Sequence, residues 1–306
     1  MQYKISHTTI YTYNQLVYLK PHLLRLHPRC DRWQKLHCFA LEIAPEPAGI
    51  SYFNDFDGNN LIKLWFRTTT EQLTIKIHTE VETHKNNPFD YLLESWATKI
   101  PWDYPSSMIT QLDSYLKSYY PVPDPVACQL AQEIAHQAKG NVLTFLSNLN
   151  QNIYENCQYI IREMGEAMPA GITWNSKQGS CRDFAVLFME VCRAVGLGAR
   201  FVSGYQEGDR DQEERDLHAW TEVYLPGGGW RGYDPTLGLA VADRHIAVSA
   251  SSLPQYTAPV EGHVTPVEPT WETGKAVESQ MRSQISITHL DRNQSFSSQS
   301  QFRADS

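Results

Sequence analysis

Two hydrophobic periods share this chain, and one gives way to the other at Asn86-Asn87-Pro88. Before that point the pattern has period two. Leu73, Ile75, Ile77 and Val81 alternate with Thr74, Lys76, His78 and Glu80, and Tyr3 to Tyr13 show a looser version of the same alternation. Alternation with β-branched residues marks half-buried strands, and Asp57-Gly58 suits a tight turn between two of them. Residues 1–85 therefore read as an antiparallel β domain of sandwich type. After the break the spacing becomes helical, at roughly 107–119, 126–139 and 142–158. Leu143, Phe145, Leu146, Leu149 and Ile153 carry the last of these, and Pro121, Pro123 and Pro125 punctuate the connection. A further helix and then strands follow from 181 to 236, so residues 86–250 read as a second, mixed unit. Beyond 250 the pattern fades into a proline-interrupted tail, 251–306. It holds one short strand candidate at 285–290 and a polar end that reads as disordered. The fold class expected is α+β.

The most informative segment is GSCRDFAVLFMEVCRAVGLG, residues 179–198. Phe184, Leu187, Phe188, Val191 and Val195 make one apolar stripe on a helix. Ser180 fits the N-cap, with Asp183 as its capping-box partner, and Gly196 and Gly198 end the helix. Cys181 then occupies the first helical position. The positive end of the helix dipole and its free N–H groups stabilise a thiolate and can hold an oxyanion. The Cys181 amide is one oxyanion donor. The indole of Trp174 and the side chain of Gln178 are the candidates for the second. Cys192, inside the stripe, reads as an ordinary core cysteine.

Further on, HAWTEVYL (218–225) and GWRGYD (229–234) read as a hairpin around a Pro-Gly-rich turn. An odd loop aligns Asp234 with Trp220, on the same face as His218 and diagonal to it. An even loop sends the two to opposite faces. The glycine-rich turn favours the odd register. A histidine held by a carboxylate beside a helix-capped cysteine is the arrangement of a thiol nucleophile with its base and orienter.

Together, G-S-C-R-D-F, H-A-W-T-E-V-Y at 218–224 and G-W-R-G-Y-D-P-T at 229–236 resemble the core of bacterial transglutaminase-like proteins, a family described as candidate cysteine proteases. LLRLHPR at 23–29, the DFDGNN turn and NPFDYL resemble the β domain that precedes this core. The likeness spans roughly residues 1–265. It implies a papain-like core of helices packed on an antiparallel sheet. It also implies Cys181 as nucleophile, His218 as general base and acid, and Asp234 as orienter. Hydrolysis of a peptide or amide is the activity it favours. Protein-glutamine amine transfer, or a non-catalytic peptide-binding module on the same fold, are the alternatives.

The rest of the sequence narrows the partners. A net charge of −8 argues against nucleic acid. No secretory h-region and no long apolar run are visible, so no membrane partner is expected. Six scattered cysteines in 306 residues point to a reducing, cytoplasmic setting. The group His22, His27, Cys30, His37 and Cys38 lacks a zinc spacing, and the acidic run 209–216 lacks the glycine of a calcium loop. That run reads as a solvated loop bordering the cleft. No phosphate-cradling glycine loop is present. No cofactor or metal is expected, and the partner implied is a peptide or protein substrate.

Overall fold

The computed structural model describes residues 1–162, 165–208, 216–268 and 276–290. Within these, β1 (Gln2–Leu19), β2 (His22–His27), β3 (Gln34–Ala44), β4 (Gly49–Asn54), β5 (Asn60–Trp65) and β6 (Thr69–Thr83) form the N-terminal half. Leu73, Ile75, Ile77 and Val81 on β6 are buried, as their alternation requires. Gly58, in the turn between β4 and β5, takes φ of +73°, which a glycine reaches without strain.

The second half begins with α1 (Ser106–Leu116), α2 (Pro125–Gln137) and α3 (Val142–Asn156), close to the ranges read from the sequence. The two-residue strand β7 (Gln158–Tyr159) follows. Next come α4 (Ala170–Ser176), the matching β8 (Gln178–Gly179) and α5 (Cys181–Ala194). Helix α4 was not expected. It has only seven residues, and its first turn is held from outside: Asp124, the cap of α2, also accepts from the Gly171 amide at 2.8 Å. A Cβ at Gly171 would sit 2.7 Å from that carboxylate, so the contact depends on glycine.

The central sheet runs β12-β11-β10-β9-β13, antiparallel throughout, from β9 (Ala199–Gln206), β10 (His218–Leu225), β11 (Gly229–Asp234), β12 (Leu239–Ala240) and β13 (His245–Ser251). One face packs on α5: Val223 and Leu225 share a core with Phe184, Leu187 and Phe188. The other face turns toward the N-terminal half. Tyr205, Ile246 and Val248 lie in the same core as Ile5, Leu24 and Ile75.

The segment read as an irregular tail is ordered over most of its described length, and this corrects the reading of 251–306. It supplies β14 (Val260–Glu261), β15 (Val264–Pro266) and β16 (Ser279–His289). β14 joins the sheet β14-β2-β5-β4. β15 and β16 share one edge of β1, whose other edge pairs with β6 and, through it, β3. These two sheets enclose one core, which makes the N-terminal half a sandwich. The strand read at 285–290 is the buried end of the longer β16. Its first part, Ser279–Gln284, is an exposed edge and therefore carries no apolar alternation. The polar end, 291–306, lies outside the described residues.

Candidate active site

Helix α5 starts with a reciprocal capping box between Ser180 and Asp183. The Asp183 carboxylate is fully buried and accepts four hydrogen bonds. They come from the Ser180 amide (2.7 Å), the Ser180 hydroxyl (2.8 Å), the Met168 amide (2.7 Å) and the Arg162 guanidinium (2.6 Å). Burial alone would raise its pKa, but these donors outweigh it and hold the carboxyl below its ordinary range. Gly179 is required one residue earlier, because a Cβ there would meet Asp183 Cβ at 2.9 Å. The helix ends in a Schellman motif, with Leu197 N on Cys192 O (3.0 Å) and Gly196 N on Arg193 O (2.9 Å).

Cys181 sits at N1 of α5, half-buried, with its Sγ 4.0 Å from Leu217 O. Leu217 immediately precedes β10, so the thiol abuts the start of the strand that carries His218. Thr221 fixes that strand on the helix by donating its hydroxyl to Ala185 O at 2.7 Å.

The β10–β11 hairpin closes through three residues, Pro226-Gly227-Gly228, and pairs Thr221 with Tyr233. This is the odd register. His218 and Asp234 share a face, and His218 Nε2 lies 2.7 Å from Asp234 Oδ2. Burial opposes charge on His218. The Asp234 charge and hydrogen bond, aided by the Cys181 thiol, outweigh it and raise the imidazole to about 10. Asp234 is fully buried. Its burial is likewise outweighed by His218 and a second histidine, so its pKa falls well below the carboxylate range.

That second histidine is His245, at the head of β13. Its Nε2 lies 2.9 Å from the same Asp234 oxygen, while the other oxygen takes the Thr236 amide at 3.0 Å. His245 reaches Asp234 from beyond β9, with the ring of the buried Trp220 5.2 Å away in T-shaped contact. Gly204 on β9 makes room, since a Cβ there would fall 2.6 Å from Trp220 Cη2. The sequence reading missed His245. Its only local signal is a histidine heading a β-branched run, eleven residues after Asp234. The ligand atoms of His218, Asp234 and His245 lie within 4.8 Å of one another, close enough to hold a metal ion, but the hydrogen bonds above already use both Nε2 atoms. Tyr159, also unanticipated, lies near Cys181. Burial first, then the charges of Cys181 and Asp216, push its phenol up to about 12.

Trp174 is half-buried on α4, with Lys177 Nζ 2.9 Å above its ring, and like Cys181 it packs against the core built around α5. Gln178 is exposed on β8, three residues before the thiol. Trp220 is core, and Trp230 is a half-buried ring under the Arg200 guanidinium at 4.2 Å. His22, His27 and His37 each bond elsewhere, to Lys20 O, Pro28 O and Glu82. Of the acidic run, 209–215 lies outside the described residues. All six cysteines are free thiols.

Helices on an antiparallel sheet, with a capped cysteine facing a His–Asp pair, define the papain-like class of thiol folds. Residues 3–82 match the bacterial transglutaminase-like N-terminal region, and residues 128–235 match the transglutaminase-like superfamily. The fold is shared with a candidate cysteine protease from Cytophaga hutchinsonii, at a TM-score of 0.68 and 20% identity, over 95% of this chain and 92% of that one. An uncharacterized protein of Mycobacterium leprae is 27% identical over 270 residues, 85% of this chain and 91% of its own length. A protein-glutamine gamma-glutamyltransferase of Pseudomonas aeruginosa is 26% identical over 184 residues, 56% of this chain but 27% of its own length. The chain is a bacterial transglutaminase-like protein that carries the N-terminal region of that family. Among the described residues no helix is long and apolar enough to cross a membrane.

Proposed function

We propose that the protein is a cysteine-dependent hydrolase of peptide or amide bonds, with Cys181 as nucleophile, His218 as general acid and base, and Asp234 as orienter. The observation that carries this reading is the His218 ring, bonded through Nε2 to a buried carboxylate and close enough to Cys181 to feel its charge. With Nε2–H on Asp234, Nδ1 serves the thiol. The Cys181 thiolate adds to the substrate carbonyl, and the oxyanion is held by the Cys181 amide together with the Trp174 indole or the Gln178 side chain. His218 Nδ1–H protonates the leaving amine, which departs and leaves a thioester on Cys181. His218 then draws a proton from water, the hydroxide adds to the thioester, and the acid leaves as the thiolate returns. The substrate is a peptide or protein. The six free thiols suit a cytoplasmic, reducing setting.

A second reading is favoured by the similarity to the Pseudomonas glutamyltransferase: an amine in place of water would give a new amide. One experiment separates the readings. The full chain and Cys181→Ala are profiled against peptide and amide libraries, and against a glutamine-bearing protein with a fluorescent primary amine. Cys181-dependent release of acid supports the hydrolase, whereas Cys181-dependent incorporation of the amine supports transfer. A thiol-reactive probe that labels all six cysteines slowly and equally, with no Cys181-dependent turnover, would leave only a non-catalytic module.

A further inference from the structure

The face of the central sheet turned away from α5 and the N-terminal half border a half-open cavity of about 700 Å³. Five cationic side chains line it against three carboxylates. Two of the cations are already satisfied. Arg29 is hydrogen-bonded to Asp57 O and Asn59, and Arg200 is paired with Glu222 at 2.7 Å. The other three, Arg32, Lys85 and Arg231, have no carboxylate within 4.0 Å among the described residues.

All three gather on one ring. Their cationic groups lie 5.1, 5.6 and 5.4 Å from the centroid of Trp33. Lys85 and Arg231 are only 8% and 6% exposed, which makes their lack of a counter-ion costly. Lys85 makes no hydrogen bond among the described residues. Arg231 makes one, from Nε to Gly228 O at 2.8 Å, and leaves both Nη groups free of hydrogen-bond partners. Burial pushes both groups below their ordinary pKa, because the loss of water outweighs the more distant charges of Glu222 and Asp31 on Lys85 and of Asp90 on Arg231. A planar guanidinium with unused donors, an ammonium and an aromatic plate are the elements that recognise carboxylate or phosphate on an organic framework. The volume suits a small molecule and exceeds the need of a bare ion.

We propose that this cavity binds a small organic oxyanion, a carboxylate- or phosphate-bearing molecule, between Lys85, Arg231 and Arg32 at Trp33. The site is separate from the thiol. Its lining does not include Cys181 or His218, but it does include His245, which is bonded to Asp234. Occupancy is therefore one side chain removed from the proposed catalytic pair.

The test is calorimetric titration of the full chain with citrate and, separately, with pyrophosphate, at pH 7 and constant ionic strength. Saturable one-site binding of at least one of them is expected. It should weaken at least tenfold in Lys85→Met and in Arg231→Gln, and stay unchanged in Lys99→Gln, an exposed lysine outside the lining. Preference for one probe then assigns carboxylate or phosphate. Lys85→Met is also expected to raise the melting temperature of the free protein, because it removes a buried unpaired charge, and this separates lost binding from lost folding. No saturable binding of either probe, or equal weakening by Lys99→Gln, would overturn the proposal. So would a lower melting temperature in Lys85→Met together with unchanged binding.

Discussion

Asp234 holds two imidazoles on one carboxylate oxygen, and most of the pH behaviour of the site follows from that. His218 is raised to about 10 in the folded protein. A raised histidine stabilises the fold fully below its unfolded value near 6.5, and this contribution is lost as pH climbs through 10. In the proposed mechanism the same charge state would make His218 the acid for the leaving amine. Asp234→Asn removes the main cause of the rise. The variant should lose roughly 10²–10⁴-fold in rate, and the basic limb of its profile should move from near 10 toward 6.5. An NMR titration of the His218 imidazole reads the shift directly, and an unmoved midpoint would refute it. In the proposed mechanism His245 would act only through Asp234, to which it is hydrogen-bonded. Removing a hydrogen bond to a charged group costs about 1.5–3 kcal/mol, so His245→Ala should slow the alkylation of Cys181 by iodoacetamide roughly 10–100-fold. His245→Gln, which keeps a donor, should recover part of the loss. Equal rates in wild type and His245→Ala would make this histidine purely structural.

At the scale of elements, the start of α5 depends on one buried carboxylate. Ser180→Ala removes a capping hydroxyl and should cost about 1 kcal/mol. Asp183→Asn leaves Arg162 and two amides without their anion and should cost more, about 3–5 kcal/mol by analogy with broken buried ion pairs. Denaturant unfolding of both variants tests the order, and a larger loss in Ser180→Ala would contradict it. Because the Asp183 pKa is depressed, its contribution is present above the unfolded carboxyl value and disappears as pH falls through the folded one, so the two proteins should converge in acid. The parts of this region visible in the sequence are those with local causes. The stripe from Phe184 to Val195, the cap at Ser180 and the odd hairpin loop each follow from neighbours along the chain. The parts not visible have distant causes. Helix α4 is tied down by Asp124 from another helix, and His245 reaches Asp234 only because Gly204, on a third strand, has no side chain. Neither periodicity nor spacing encodes such contacts.

Across the described residues, the last strand, β16, pairs with the first, β1, and through it meets the sheet that carries the proposed site. His7 on β1 is the junction. Its Nδ1 lies 3.0 Å from the Tyr205 hydroxyl of β9, and its Nε2 lies 3.0 Å from Ser283 Oγ of β16. Burial pushes this imidazole down to about 4, so below pH 6.5 the unfolded chain takes up a proton that the folded one refuses, and stability falls toward pH 4. Beside it, Ile285 of β16 is 2% exposed, in the core shared by Ile5, Ile75, Tyr205 and Ile246. This packing argues against treating β16 as an appendage, because that strand completes a core to which the N-terminal half and the central sheet both contribute. Ile285→Ala should therefore destabilise the protein by about 2–5 kcal/mol, the usual cost of a buried large-to-small change. If the halves unfold as one unit, Trp220 in the central sheet and the strands of the sandwich should report the same lowered midpoint, by fluorescence and by far-ultraviolet circular dichroism respectively. Separate transitions, with only the sandwich signal shifted, would show that the core shared across the two halves does not couple them.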